Sequence, residues 1–441
     1  MVAAAGTSAH AGRAWVGVDR LFWIALVIFA GRCLVVAWFG PFPNAYDEQA
    51  HFSFALHVLQ TGEIIPSFDD LRLIDPAMPG RWTEQGNYLN HPSPYYVLMA
   101  AAAAPFELAA ADLIRLWRLL NVVLAAVGLA LILRLGREAG WSAPAQAAFV
   151  ALIALNPTLP VLGGIVSNDN LAFLGGALTC LGVFRLLAGA RSVGVWMTVA
   201  AGVLIASLAK LTALLLCSLL LAFTLARLVA TSGLAALGSR RAGLCLCAAA
   251  LGLVPYLLLV LEHGSPAPFT AGQAAVLASR LAEMPEWQAS RLGFWPYVGH
   301  FGQSLLVYWP PVTPAGTAQM ALLALPAACL GLSLIGVLGA LRSAAGGGSD
   351  DPTAQFVVCG ALAMAVMAGI HLEFTFARHQ ETGWLRGVYP RYYFPLLAVL
   401  PAACAWLIER GARETQPWAA AAVVIVPTVG YDILHRVIGV D

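Results

Sequence analysis

The dominant pattern along the chain is a succession of apolar runs of about 20 residues, separated by short connections and two longer polar segments. Helices of that length match a bilayer hydrocarbon core of about 30 Å at roughly 1.5 Å per residue. The runs fall at 21–39, 116–135, 143–162, 170–188, 193–209, 211–229, 242–261, 319–341, 354–372, 391–408 and 417–434, which predicts eleven transmembrane helices. With the N-terminus cytoplasmic and the C-terminus outside, every inside segment carries arginine: Arg13 and Arg20, Arg134 and Arg137, Arg185 and Arg191, Arg227 with Arg240 and Arg241, Arg342, and Arg410 with Arg413. That distribution obeys the positive-inside bias. The first run is too long for a signal-peptide core and no small-residue cleavage site follows it, so it reads as an uncleaved span.

The same assignment places two polar segments outside. The first, 40–115, carries Asp69, Asp70, Asp75 and Glu84 and is expected to be a folded external loop. Its stretch 91–106 is apolar but short, which suits a helix lying at or dipping into the interface. The second, 262–318, holds Trp287, Trp295, Tyr297, Tyr308 and Trp309, the makings of an interfacial aromatic belt around short amphipathic helices. The glycine-rich stretch 343–351 reads as an inside linker. No fixed-period repeat and no dividing linker is present, so 1–441 is expected to be a single, all-α polytopic membrane domain.

Composition agrees: of 441 residues 60% are hydrophobic and only 11% charged, against about 25% charged in an ordinary soluble domain. The net charge of +1 gives no reason to expect a nucleic-acid partner. All eight cysteines (Cys33, Cys180, Cys217, Cys245, Cys247, Cys329, Cys359, Cys404) lie in apolar runs without a C-x-x-C pair, which suggests neither a zinc site nor a loop disulfide.

Candidate chemistry starts directly after the first run, where Pro43-Asn44-Ala45-Tyr46-Asp47-Glu48-Gln49-Ala50-His51-Phe52 sets two adjacent carboxylates and a histidine. A helix over 46–59 would put Asp47 and His51 on one face, with Phe52 and Leu56 free to dock on lipid or protein. Such a face suits a proton acceptor or a metal ion. It equally suits a plain helix start, with Asn44 as the cap, Asp47 and Glu48 at the positive helix end and His51 shielding a surface.

Asn156-Pro-Thr-Leu-Pro160 ends the third run and Ser167-Asn168-Asp169-Asn170 opens the fourth at the same outer side, where Asn168 or Asp169 could serve as a cap or belong to a site. Lys210, the only lysine, lies outside between the fifth and sixth runs, a placement that invites an anionic partner or snorkelling to headgroups. Tyr389-Pro-Arg391-Tyr-Tyr-Phe-Pro395 opens the tenth run close to His379, Glu381 and Arg386. Asp47, Glu48, Asp169, Lys210 and Arg391 thus gather at one face. A carboxylate there can take a proton from an acceptor hydroxyl or amine while the cations stabilise a departing phosphate. Asp47, Glu48, His51 and Asp169 would suit a divalent Mn or Zn ion if the fold brought them together. The inside loops hold arginine and no Gly-rich phosphate loop, which argues against a cytosolic nucleotide donor.

The order of Tyr46-Asp47-Glu48-Gln-Ala-His51-Phe52, His91-Pro-Ser-Pro-Tyr95-Tyr96, Asn156-Pro with Ser167-Asn-Asp169, Lys210, and Arg391-Tyr-Tyr-Phe-Pro395 resembles the GT-C superfamily of integral-membrane glycosyltransferases. It is most similar to the bacterial branch related to protein O-mannosyltransferases and lipid A aminoarabinose transferases, within a group opening on Asp-Glu-x-x-His. The resemblance runs from about Leu21 to Pro395. It implies a GT-C-like bundle of about eleven transmembrane helices with external juxtamembrane helices, and residence in the bacterial inner membrane with the active site facing the periplasm. It further implies a polyprenyl-phosphate-linked sugar as donor, membrane lipids as surroundings, and inversion at the anomeric carbon. By the family pattern Asp47 is the general base, Glu48 and Asp169 support the acceptor or a divalent cation, His91 and Tyr95 contact substrate, Lys210 meets the lipid phosphate and Arg391 is a second cation. Two departures stand out: His91 is followed by Pro-Ser-Pro where Pro-Pro is usual, and an extended soluble C-terminal domain is not seen. The acceptor stays open. Two other functions compete: a transporter or flippase, for which Arg32 is the deepest ionisable candidate, and a non-catalytic partner in envelope assembly.

Overall fold

The computed structural model describes residues 7–44, 46–92, 94–154, 156, 158–233, 240–282, 291–306, 317–345, 351–385, 388–412 and 414–420. In chain order these form α1 (Thr7–Phe39), α2 (Glu48–Thr61), a hairpin of β1 (Arg72–Ile74) and β2 (Trp82–Gly86), α3 (Pro94–Ala103), α4 (Ala110–Glu138), α5 (Ala143–Ala154), α6 (Thr158–Gly163), α7 (Asp169–Leu187), α8 (Val193–Ala209) and α9 (Leu211–Ser232). There follow α10 (Arg240–Ala250), α11 (Val254–His263), α12 (Ala271–Ala282), α13 (Phe294–Leu306), α14 (Thr317–Ala345), α15 (Pro352–Thr382), a 3-10 turn over Pro390–Leu396 and α16 (Val399–Arg410).

Helices occupy ten of the eleven apolar runs, and most of the run 417–434 lies outside the described residues, as do Arg386, Arg413, Trp287, Tyr308 and Trp309. Among the described residues five helices are long and apolar enough to cross a bilayer: α1 from Arg20, α4, α7, α9 and α15. The 3-10 turn and α16 together make a sixth candidate, bent by 63°. Two expected single spans are interrupted. The run 143–162 divides into α5 and α6 around Asn156, whose Oδ1 accepts from the backbone N–H of Thr158 and Leu159 and so caps α6. The run 242–261 divides into α10 and α11 around a 3-10 turn at Leu251–Leu253.

Lipid tails are as apolar as leucine, so close backbone approach rather than hydrophobic exclusion holds such helices together. Small residues permit it here. A Cβ added at Gly175 of α7 would meet the backbone of Ala206 in α8, one at Gly182 would meet Val199, and one at Gly202 of α8 would meet Thr179. On the other side of α7, a Cβ at Gly176 would run into the backbone of Pro395. The turn carrying Arg391 is therefore seated against the helix that begins with Asp169.

The segment 40–115 builds a second core from Phe52, Phe54, Leu71, Tyr95, Tyr96 and Met99 together with Trp117 of α4. Phe54 stacks on Tyr96 at 3.8 Å and Phe52 packs on Trp117 at 4.9 Å between ring centroids. The hairpin, which hydrophobic periodicity did not reveal, is pinned to α2 by Gln49 Nε2 donating to Ile74 O (2.7 Å) and by the Ile74 N–H donating to Ser53 Oγ (3.0 Å). In the second polar segment Trp295 is 77% exposed, whereas Tyr297 is fully buried and stacks on His379 at 5.2 Å. Tyr297 is thus a packing residue and not part of an aromatic belt.

Candidate active site

The site grows from the ends of α1, α4, α7, α8 and the 3-10 turn. After Phe39 the chain runs through 40–44 and reaches Tyr46 and Asp47 with left-handed backbones, φ 61° and 67°. Helix α2 therefore starts at Glu48, not Tyr46, and Asp47 at its N-cap makes no side-chain cap hydrogen bond. Instead the Asn44 backbone N–H donates to Glu48 Oε2 (2.8 Å). Left-handed non-glycine residues cost on the order of 1 kcal/mol or more each, and such strain persists only where the surroundings hold it. Here it turns the adjacent carboxylates of Asp47 and Glu48 in different directions.

Asp47 reaches the turn at the far end of the sequence: its Oδ2 pairs with Arg391 Nη2 at 2.6 Å and its Oδ1 accepts from the Tyr88 hydroxyl at 3.1 Å. Arg391 also faces Asp169, Nη1 to Oδ2 3.6 Å, and lies 5.2–5.5 Å from the ring centres of Tyr46, Tyr389 and Tyr392. Asp169 in turn pairs with Lys210, and Ser167 Oγ donates to Asp169 Oδ2 at 3.3 Å. Lys210 occupies an extended break, φ −168°, between α8 and α9, with its ammonium 4.9 Å from the Tyr392 ring centre. Lys210 and Asp169 are 3% and 5% exposed. Four of the five charged residues expected at the site thus form one continuous chain, Asp47–Arg391–Asp169–Lys210, two cations alternating with two carboxylates.

Burial alone would raise the Asp47 carboxyl, but the Arg391 guanidinium outweighs it and holds the group down at about 2. His51 and His91 lie alongside, their rings stacked at 6.2 Å, and His51 Nδ1 is 2.9 Å from the Tyr96 hydroxyl. Burial first, then the neighbouring histidine, pushes His51 well below the usual imidazole range. His91 falls to about 3 through burial and the Lys210 charge. Both are neutral imidazoles beside a charged site.

Glu48 and Tyr95 do something else. Glu48 is buried and faces Arg118 of α4, with Arg118 Nε to Oε1 and Nη2 to Oε2 both 2.7 Å. It is enclosed by protein and does not face the Asp47–Lys210 chain. Tyr95 donates to Asn121 Oδ1 (3.0 Å), which also accepts from Asn170 Nδ2 (2.8 Å), so its hydroxyl is taken up by the join of α3, α4 and α7. The structure does not assemble the metal set Asp47, Glu48, His51 and Asp169: no three His, Cys, Asp or Glu side chains are grouped to hold a metal ion among the described residues. The carboxylates are engaged by cations instead. Arg32, the deep candidate for a transport path, donates through Nη1 to Ala154 O (3.2 Å), at the last residue of α5 where the span breaks. A cation at a helix C-terminus meets exposed carbonyls and the negative end of the dipole, which accounts for Arg32 structurally.

Arg118 and Tyr88 were not singled out from sequence, and Tyr46, Tyr389 and Tyr392 entered only as members of the quoted motifs, with no role of their own. Arg118 carried a signal, an ionisable residue inside an apolar run.

No family model matches the chain, and no curated protein matches it either. Solved structures do. The lipid A aminoarabinose transferase ArnT from Cupriavidus metallidurans aligns at a TM-score of 0.51 with 15% identity over 93% of this chain and 62% of that one. The same protein bound to undecaprenyl phosphate aligns at 0.50 with 16% identity over 96% and 72%. The Archaeoglobus fulgidus oligosaccharyltransferase aligns at 0.53 with 14% identity over 94% and 55%. The chain has the GT-C fold. It is a multi-pass membrane protein, and it spans about three fifths of the apo ArnT chain.

Proposed function

We propose that the chain is a lipid-linked-sugar-dependent glycosyltransferase of the GT-C type. In this reading it moves a sugar from a polyprenyl-phosphate donor to an acceptor, with inversion, at the periplasmic face of a bacterial inner membrane. The convergence of the buried Lys210, Asp169 and Arg391 with the partly exposed Asp47 in one chain of charges carries it. ArnT, whose fold this chain shares, binds undecaprenyl phosphate, which supports the choice of donor.

The donor phosphate is the natural competitor for both cations. A carboxylate held at about 2 is a weak base at neutral pH. When the phosphate draws the Arg391 guanidinium toward itself, Asp47 loses the charge that depresses it and becomes a better proton acceptor. Asp47 then takes the proton of the acceptor O–H or N–H as that heteroatom forms its bond to the anomeric carbon. The bond from that carbon to the phosphate oxygen breaks, and the electron pair leaves with polyprenyl phosphate, stabilised by Lys210 and Arg391. Asp169 pairs with Lys210 and holds its side chain in place in the absence of donor, and the neutral His51 and His91 line the acceptor side without adding repulsion toward the cations.

The test is transfer by purified protein from a polyprenyl-phosphate-linked sugar, reading released polyprenyl phosphate. Asp47→Asn is expected to lose about a hundred- to ten-thousand-fold while still binding donor. Transfer by that variant at a near-normal rate would refute the assignment of Asp47 as base.

A further inference from the structure

Glu48 is adjacent to the proposed base yet is closed to any substrate. A carboxylate has about four acceptor sites, and all four are filled: Oε1 by Arg118 Nε (2.7 Å) and the Val166 N–H (3.1 Å), Oε2 by Arg118 Nη2 (2.7 Å) and the Asn44 N–H (2.8 Å). Its side chain is 0% exposed and that of Arg118 3%. Arg118 spends its remaining donors on the last turn of α1 and the loop after it, Nη1 on Ala37 O (3.4 Å) and Gly40 O (2.9 Å) and Nη2 on Pro41 O (2.6 Å). One planar fork therefore ties together α4, the last turn of α1, the loop leading to Asp47, the first residue of α2, and Val166.

Those are the segments that carry the two carboxylates of the charged chain. Asp47 immediately precedes Glu48, and Asp169 lies three residues after Val166. Both carboxylates close on the same guanidinium, that of Arg391. The backbone that enters the knot at Glu48 is left-handed at Tyr46 and Asp47, a conformation that relaxes unless its neighbours hold it.

We propose that Arg118, acting through Glu48, is a positioning residue that sets Asp47 in register with Asp169 across Arg391. This rests on the glycosyl-transfer reading above for its consequence on rate, though not for its geometry. The sequence motif then divides: Asp47 faces the reaction, and Glu48 faces inward as its anchor.

The test uses the purified full chain in detergent or vesicles. Arg118→Lys keeps the buried charge opposite Glu48 but replaces the fork with a single point donor that cannot serve both Glu48 and the loop carbonyls. Glu48→Gln combined with Arg118→Met removes both charges together, so no buried ion is stranded. In both variants single-turnover transfer is expected to fall between about tenfold and a hundredfold, as an ångström-scale misplacement does, with the dissociation constant for undecaprenyl phosphate within about threefold of wild type. The Asp47 carboxylate, followed by infrared or carbon NMR with Asp47→Asn as reference, is expected to titrate higher than in the wild-type chain, where the Arg391 guanidinium holds it low. Either folded variant transferring at the wild-type rate with an unmoved Asp47 titration overturns the proposal. So does a loss of rate and donor affinity together in proportion to the fraction of folded protein. If the wild-type chain transfers no sugar, the functional reading fails, and the Asp47 titration alone still decides the registration.

Discussion

Replacing Lys210 by methionine removes a charge that does two jobs, and the structure allows them to be separated. In the folded chain Lys210 neutralises Asp169, and both are almost fully buried. Breaking a buried pair by removing one partner costs about 3–5 kcal/mol. Arg391 at 3.6 Å and the Ser167 hydroxyl at 3.3 Å remain beside Asp169, which places Lys210→Met at the lower end, about 3 kcal/mol. Adding Asp169→Asn removes the stranded charge, and the double variant is expected to recover most of that loss. Turnover behaves differently. A hydrogen bond to a charged group contributes about 1.5–3 kcal/mol, which at 1.36 kcal/mol per decade is roughly a ten- to hundred-and-fifty-fold effect on the departing phosphate. No change at Asp169 restores it. The assay is single-turnover sugar release by Lys210→Met/Asp169→Asn alongside its thermal stability, with Asp169→Asn alone as the control. A double variant that is stable and transfers within about twofold of that control shows that Lys210 serves only to neutralise Asp169.

Acid is expected to weaken the fold in two steps. An unfolded histidine takes up its proton near pH 6.5, but His51 and His91 are held below that, so stability falls as pH drops under about 6.5, by up to about 1.4 kcal/mol per pH unit for each group. Asp47 acts lower, its contribution being present above its ordinary value of 3.8 and lost as pH falls toward about 2. Thermal midpoints between pH 4.5 and 7.5 test the first step, and a His91→Gln variant with the wild-type slope would contradict it. Gly176→Ala is expected to cost about 1–3 kcal/mol and to lower turnover, because the added methyl meets the Pro395 backbone that seats Arg391; normal stability and rate would show that the turn can move away freely. Cysteines introduced at the exposed positions Glu63 and Asp70 are expected to react with an impermeant thiol reagent from the periplasmic side, and labelling from the cytoplasmic side alone would invert the proposed topology.

The helices were legible in the apolar runs because their length is set by the bilayer, a constraint that acts on each segment alone. The interruptions were less so. Asn156 reads as a helix start only once its side chain is seen accepting from Thr158 and Leu159, and in a window of 20 residues one polar amide barely alters the hydropathy. The hairpin at Arg72–Gly86 escaped for a related reason: its register carries an irregularity and its burial is set by α2, through Gln49 and Ser53, rather than by an alternating pattern of its own.

The site was legible as a set of residues but not as a set of roles. Charges are rare in this chain, so each one outside the arginine-rich connections demanded a partner, and Asp47, Asp169, Lys210 and Arg391 indeed partner one another. Asp47 and Glu48, however, are neighbours of nearly identical chemistry, and nothing in a linear motif distinguishes them. What separates them is the backbone. With Tyr46 and Asp47 left-handed, helix α2 begins two residues later than the expected start at Tyr46, so Asp47 stands outside the helix toward Arg391 while Glu48 is its first residue and turns inward to Arg118, 70 positions away. A motif of two carboxylates thus supplies one reactive group and one anchor. Exchanging their order would place the shorter side chain at the anchor, too short to satisfy Arg118, Asn44 and Val166 together, which is a physical reason for the order Asp-Glu.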